Sequence, residues 1–166
     1  MLLGSINVAK KQFDQVKRHV HHSWFIGAKR FNRAFTVGNT MDSELDALEE
    51  FRRYRERMNK RILSAKNLGI GRFFALDTRA YEEGALDTKT KELLGLVAST
   101  VLRCNDCITY HVIRCVQEDV SDREFFEAMN VALVVGGSIT IPHIRRAAET
   151  LDQCREKKRK GHSLDV

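Results

Sequence analysis

An all-α fold is predicted by three features of the chain. Apolar residues recur three or four positions apart over long stretches, the pattern of helices with one buried face. One proline and ten glycines interrupt 166 residues, so connections must be short. Outside a brief linker at 138–141, nothing has strand character. A chain of this length can bury the core of one domain. Its 43% hydrophobic and 30% charged content places it among globular rather than disordered chains. The longest apolar runs, such as 131–135, are far too short to span a bilayer, so no membrane partner is expected.

The helices follow in order. Leu45, Leu48, Phe51, Met58, Ile62 and Ala65 fall three or four apart, predicting a helix from Ser43 with Asp42 or Ser43 as its cap. Residues 67–71, Asn-Leu-Gly-Ile-Gly, are expected to end it. A short helix is then expected from Asp77 as N-cap to Gly84 as the residue past its end, carrying Ala80 and Tyr81. Asp87 caps the next, which packs through Leu93, Leu94, Val97, Ala98 and Val101 and stops near Arg103. Asn105 and Asp106, both good caps, predict a helix start between Cys104 and Cys107, with Ile108, Val112 and Cys115 facing inwards to about Glu118. Ser121 with Glu124 is a capping-box pattern for a helix packed through Phe125, Met129, Ala132 and Leu133 and closed by Gly136 and Gly137. Pro142 suits the first turn of a last helix, which runs to about Lys158. Residues 159–166 read as a basic tail.

Charge divides the chain. Residues 1–40 hold seven Lys and Arg (Lys10, Lys11, Lys17, Arg18, Lys29, Arg30, Arg33) against one acid, Asp14, which accounts for the whole net charge of +6. The body from Met41 is neutral and offers no basic footprint for nucleic acid. Three readings fit the prefix: a start site placed upstream of Met41, an Arg/Lys-rich organellar presequence, or a basic arm that touches a partner. The domain expected to carry the function is 41–158. Four cysteines are too few to frame a secreted scaffold. In a reducing compartment a close C-x-x-C is catalytic or metal-binding more often than structural, which fits a cytoplasmic protein, or an organellar one if the prefix is a presequence.

The chemistry concentrates between Glu92 and His111. Cys104 and Cys107 form the C-x-x-C pair, His111 follows Cys107 by one helical turn, and Glu92 lies on the preceding helix. A thiol reacts as its thiolate, and three features favour that form here: the positive end of a helix, a histidine on the same face, and an acid able to orient that histidine if the two helices pack antiparallel. This is the arrangement of nucleophile, base and orienting group. His111 is closer in sequence to Cys107, so Cys107 is assigned attack and Cys104 resolution, with a Cys107 sulfenic acid condensing to a disulfide. Zinc is the competing chemistry, because C-x-x-C-x3-H-x3-C supplies four potential ligands. On one helix, however, Cys104 and Cys115 stand about 16 Å apart at ~1.5 Å per residue, whereas the ligands of one zinc all lie within about 2.3 Å of it. A three-ligand or intersubunit site is the metal reading that survives. Cys115 reads as a small core residue, Cys154 as incidental and His143 as a helix-start residue without chemistry.

These residues resemble the carboxymuconolactone decarboxylase superfamily, and more closely its branch containing alkylhydroperoxidase D, whose pattern is E-x11-C-x-x-C-x3-H. Glu92, Cys104, Cys107 and His111 match each position and gap, and the similarity covers about residues 41–155. The resemblance implies an all-helical fold assembled as trimers or hexamers, with the cysteine pair at the start of a buried helix. It implies a peroxidase-like, peroxiredoxin-type activity in which the Glu92–His111 relay activates Cys107. A hydroperoxide would be the substrate and a lipoyl-bearing or thioredoxin-like dithiol protein the electron donor, with no cofactor and no metal. The family's named decarboxylases lack the cysteine pair. Asp106 stands where alkylhydroperoxidase D carries a histidine, and a carboxylate there raises the thiol pKa. Two alternatives remain: a decarboxylase-like enzyme using His111 as base, and a non-enzymatic helical or metal-binding assembly module.

Overall fold

In a computed structural model of the chain, the described residues are Thr40–Val166, with side chains from Ala47 onwards. The readings of residues 1–39 lie outside them. Among the described residues there are six α-helices, one 3-10 turn and no strand. The helices are α1 (Thr40–Ser64), α2 (Leu68–Ala80), α3 (Thr88–Leu102), α4 (Asn105–Gln117), α5 (Asp122–Gly136) and α6 (Ile141–Arg159), with the 3-10 turn Ser138–Thr140 between the last two.

Helix α4 is the centre of the packing. It lies against α3 on one side and α6 on the other, while α3 also packs on α5. Ile108, Val112, Ile113, Cys115 and Val116 of α4 join Leu96, Phe125, Met129, Ala147, Leu151 and Cys154 in one buried cluster. Cys154, read from sequence as incidental, is thus a core residue. Residues 159–166 do more than trail from α6. Leu164 and Val166 pack on the cluster, and Gln117 donates to the Leu164 carbonyl at 2.9 Å.

Local hydrogen bonding explains which helix ends were legible. Asp87 accepts from the Thr90 amide at 2.7 Å, and Ser121 and Glu124 form the full capping box, as expected. Arg103, at φ 60°, stops α3 in the left-handed conformation. Pro142 sits in the first turn of α6.

Other boundaries differ. Asp42 and Ser43 lie inside α1, where acids near a helix start are favoured by the dipole as well as by capping. The stop comes at Ala65–Lys66, with Lys66 at φ 53°. Asn67 does not end α1 but caps α2, accepting from the Ile70 amide at 3.1 Å. Consequently α2 begins nine residues before the expected Asp77 start, holds Gly69, Gly71 and Asp77 in its interior, and ends with Tyr81 as its C-cap rather than at Gly84. Cys104, not Asn105 or Asp106, is the N-cap of α4. The linker at 138–141 is a 3-10 turn leading into α6, without strand structure.

Two helices bury faces other than the expected ones. Helix α3 buries Glu92, Leu96, Ser99 and Thr100, leaving Leu94 and Ala98 exposed. Only the beginning of the described part of α1 reaches the core, through Leu48 and Phe51, and Ile62 is exposed. No residue of α2 is fully buried: Phe74 is partly covered, and Leu68, Phe73 and Leu76 are exposed. Its apolar pattern is real, but among the described residues little covers it.

Candidate functional site

The site is assembled by the antiparallel approach of α3 and α4 and by the end of α2. Cys104 ends the connection from α3, and its Sγ accepts from the Cys107 amide at 3.4 Å, inside the first turn of α4. Cys104 and Cys107 are joined by a disulfide, with Cα atoms 5.3 Å apart. Cys107 is exposed and Cys104 partly covered. The pair therefore occupies a helix N-terminus, where unpaired amides and the dipole favour a thiolate once the bond is reduced.

One turn further along, His111 is buried, and Glu92 reaches it from α3. His111 Nδ1 and Glu92 Oε2 are 2.8 Å apart, and the other oxygen, Oε1, accepts from Arg114 Nε at 3.0 Å. Glu92 is only 1% exposed, which rules out the solvated role most glutamates play. A buried carboxylate needs partners for its charge, and here both oxygens have one. Arg114 is itself fixed by Gln117 at 2.6 Å and Glu118 at 3.3 Å. Burial opposes its charge, but the hydrogen bond and charge of Glu92 outweigh this and raise its pKa. With Nδ1 committed to a carboxylate, the neutral ring presents Nε2 as its lone-pair nitrogen.

All four residues singled out from sequence thus meet around the α3–α4 contact. A cavity of about 390 Å³ opens over Cys107 and His111, walled by Phe51, Tyr54, Arg55, Met58 and Ile62 of α1 together with Tyr110. Cys107 is the cysteine on that wall; Cys104 is not. The Arg55 guanidinium lies 4.0 Å from the centre of the Tyr110 ring, a cation–π contact that places a positive charge at the cavity. Asp77 and Asp106 also line it, so the carboxylate that distinguishes this sequence from the alkylhydroperoxidase D pattern is part of the mouth.

Three neighbours of the site carry little signal in the sequence. Arg114 sits 22 residues from Glu92, Tyr81 30 residues from His111, and Arg55 belongs to another helix. No local pattern links such pairs. The only available sign was that Arg114 interrupts the apolar face of α4 one turn after His111. His143, read as chemically idle, hydrogen-bonds through Nδ1 to Asn105 Oδ1 at 2.8 Å and so ties the start of α6 to the start of α4. Cys115 and Cys154 are fully buried, and burial pushes both thiols up to about 12, which removes them from thiolate chemistry near neutral pH.

Fold and site define a helical protein with a cysteine pair at one helix start and a buried acid–histidine dyad beside it. The model of the family described as "Carboxymuconolactone decarboxylase family" matches residues 71–150. A Paracoccus denitrificans protein, known as uncharacterized protein 4 in cox locus, is 31% identical over 81 residues, 49% of this chain and 73% of that protein. A crystal structure from Thermotoga maritima shows a carboxymuconolactone decarboxylase family protein for which a part in an antioxidative response has been suggested. It is 54% identical, with a TM-score of 0.68 over 70% of this chain and 99% of that one. A family member from Legionella pneumophila, in its apo form, is 25% identical with a TM-score of 0.58, covering 67% of this chain and 96% of that one. The chain belongs to the carboxymuconolactone decarboxylase family. No described helix is long and apolar enough to cross a membrane.

Proposed function

We propose that the protein is a thiol-dependent peroxidase of the alkylhydroperoxidase D type. The observation that carries this reading is the buried Glu92–His111 dyad beside a helix-start cysteine pair, with His111 and Cys107 on one cavity wall. In the reduced protein, His111 takes the Cys107 proton while Glu92, held by Arg114, balances the imidazolium. The thiolate attacks the terminal, hydrogen-bearing oxygen of a hydroperoxide. The O–O bond breaks, Cys107 becomes a sulfenic acid, and the alkoxide leaves as an alcohol after taking a proton. The Cys104 thiol then displaces water from that sulfenic acid and closes the disulfide, and an external dithiol restores both thiols with two electrons and two protons. The suggested antioxidative part of the Thermotoga maritima relative is consistent with this chemistry.

The partners follow from the same reading. The donor is a dithiol protein, lipoyl-bearing or thioredoxin-like, in a reducing compartment, the cytoplasm. The chain assembles with copies of itself through apolar side chains left exposed among the described residues.

The test is turnover of cumene or tert-butyl hydroperoxide with a dithiol donor. Cys107→Ser is expected to abolish it, and Cys104→Ser to leave a sulfenate or mixed disulfide on Cys107 that mass spectrometry detects. Equal turnover by Cys107→Ser would refute the assignment.

A further inference from the structure

Two neighbours of the dyad have no part in the chemistry described so far. Tyr81 closes α2 as its C-cap, and the first residue of α3 holds its backbone, Thr88 Oγ1 donating to the Tyr81 carbonyl at 3.2 Å. The Tyr81 hydroxyl lies 3.5 Å from His111 Nε2, on the nitrogen that Glu92 leaves free. The rings are tilted at 38° with centroids 5.3 Å apart.

Gly95 stands three residues past Glu92, on the same face of α3. A Cβ there would lie 2.5 Å from His111 Cε1, 2.7 Å from the Tyr81 hydroxyl and 2.8 Å from His111 Nε2. No side-chain carbon sits that close to three atoms at once. Alanine is the better helix former at an interior position, so helix formation does not ask for glycine here. The ring pair does.

We propose that Gly95 and Tyr81 are positioning residues for His111, Gly95 by leaving the space in which the two rings meet and Tyr81 by holding Nε2 in both protonation states of the imidazole. The proposal rests on the relay reading above and adds to it. In the neutral ring Nε2 accepts the Tyr81 O–H. When the Cys107 S–H bond breaks and an Nε2–H bond forms, the same hydroxyl turns and accepts from it. The hydroxyl rotates and the ring stays.

A hydrogen bond from the charged ring is the stronger of the two, so Tyr81 favours imidazolium and, with it, the Cys107 thiolate. Tyr81 remains protonated throughout, because burial, and then the charge of Glu92, raise its pKa. The titratable groups around the ring and the cavities beside it are Glu92 from α3, Asp77 from α2, Glu82 just past its end, Tyr54 and Arg55 from α1, and Asp106, Tyr110 and Arg114 from α4 itself with Glu118 at its end. Neither variant below removes any of them.

The experiment measures alkylation of Cys107 by iodoacetamide against pH in the reduced full-length protein, with the labelled cysteine identified by peptide mapping. Tyr81→Phe keeps the ring and deletes the hydroxyl. Gly95→Ala keeps both rings and fills their space. Each is expected to raise the midpoint of the profile by half a unit or more, which is about threefold slower alkylation below the midpoint. Circular dichroism and urea midpoints establish that each variant is folded. An unchanged or lowered midpoint in folded Tyr81→Phe overturns the proposal. Should that variant not fold, Gly95→Ala decides by the same criterion. Two controls separate this outcome from failure of the reading beneath it. His111→Gln leaving the wild-type midpoint in place defeats the relay itself. Absence of hydroperoxide turnover in the wild type defeats the peroxidase assignment while leaving the thiol profile interpretable.

Discussion

Replacing Glu92 by glutamine removes one charge and almost no volume, which makes it a sharp perturbation of the site. Two donors converge on the carboxylate, Arg114 Nε at 3.0 Å and His111 Nδ1 at 2.8 Å. An amide offers one oxygen and one NH2 group. With its oxygen towards Arg114, the NH2 group faces His111 Nδ1, and the pair is satisfied only if the ring moves its proton to Nε2, which gives up the lone pair that faces the cavity. Removing one partner of a buried ion pair typically costs about 3–5 kcal/mol. The lower end applies, because the Arg114 side chain is 30% exposed and keeps Gln117 and Glu118. With m taken as about 2 kcal/mol per molar urea for a chain of this size, a loss of about 3 kcal/mol lowers the urea midpoint by about 1.5 M. Unfolding is followed by circular dichroism at one fixed protein concentration, since association would otherwise contribute. Cys107 alkylation on the same sample is expected to slow, because nothing then holds the His111 proton on Nδ1 and leaves Nε2 as the accepting nitrogen. A midpoint within about 0.3 M of wild type, with unchanged Cys107 reactivity, would show that the carboxylate neither anchors the α3–α4 contact nor supports the histidine, and the reasoning would fail.

Three further outcomes are expected. In the reduced native protein at pH 8, a thiol reagent should label Cys104 and Cys107 rapidly and leave Cys115 and Cys154, whose thiols are pushed up to about 12, until denaturant is added; fast labelling of a third cysteine contradicts their burial. Glu124 is held down at about 2, against an ordinary value of 4.5, chiefly by Lys89 and then by Ser121. Its stabilisation is therefore complete above pH 4.5 and is lost as pH falls towards 2, so Glu124→Gln should show a shallower acid-side fall in urea midpoint than wild type, and an equal fall would be the contrary result. Finally, Leu102, Val135 and Ile139 are exposed near the ends of α3 and α5, which meet where Gly136 approaches Val101. Sedimentation should give a mass above the 19.1 kDa of one chain, falling when Leu102→Glu and Val135→Glu are combined; a monomeric wild type refutes self-assembly through this face.

Helix existence and several helix ends were legible in the residues themselves. The caps at Asp87 and Ser121 are hydrogen bonds spanning three residues, so the residue types in that short window suffice to form them. The same holds for the register of Cys107 and His111, one turn apart on one helix. Where two local devices competed, residue identity alone misled. Asn67 can follow one helix or cap the next, and it caps. Asn105 and Asp106 are better caps than cysteine in general, yet Cys104 takes the position, with the disulfide fixing its sulfur beside the Cys107 amide.

By itself, then, the sequence determined the fold class, the helix starts made by short-range hydrogen bonds, and the spacing that sets Glu92, Cys104, Cys107 and His111 in register. Only the tertiary structure decided that Glu92 is buried, that Arg114 neutralises it, that Tyr81 and Gly95 close around His111, and that Leu68, Phe73 and Leu76 of α2 are exposed among the described residues. The division has a physical cause. Capping and helical register depend on atoms within one or two turns of chain. Burial, ion pairing and the room a glycine leaves depend on which elements arrive from 20 or 30 residues away, and no local pattern encodes that arrival.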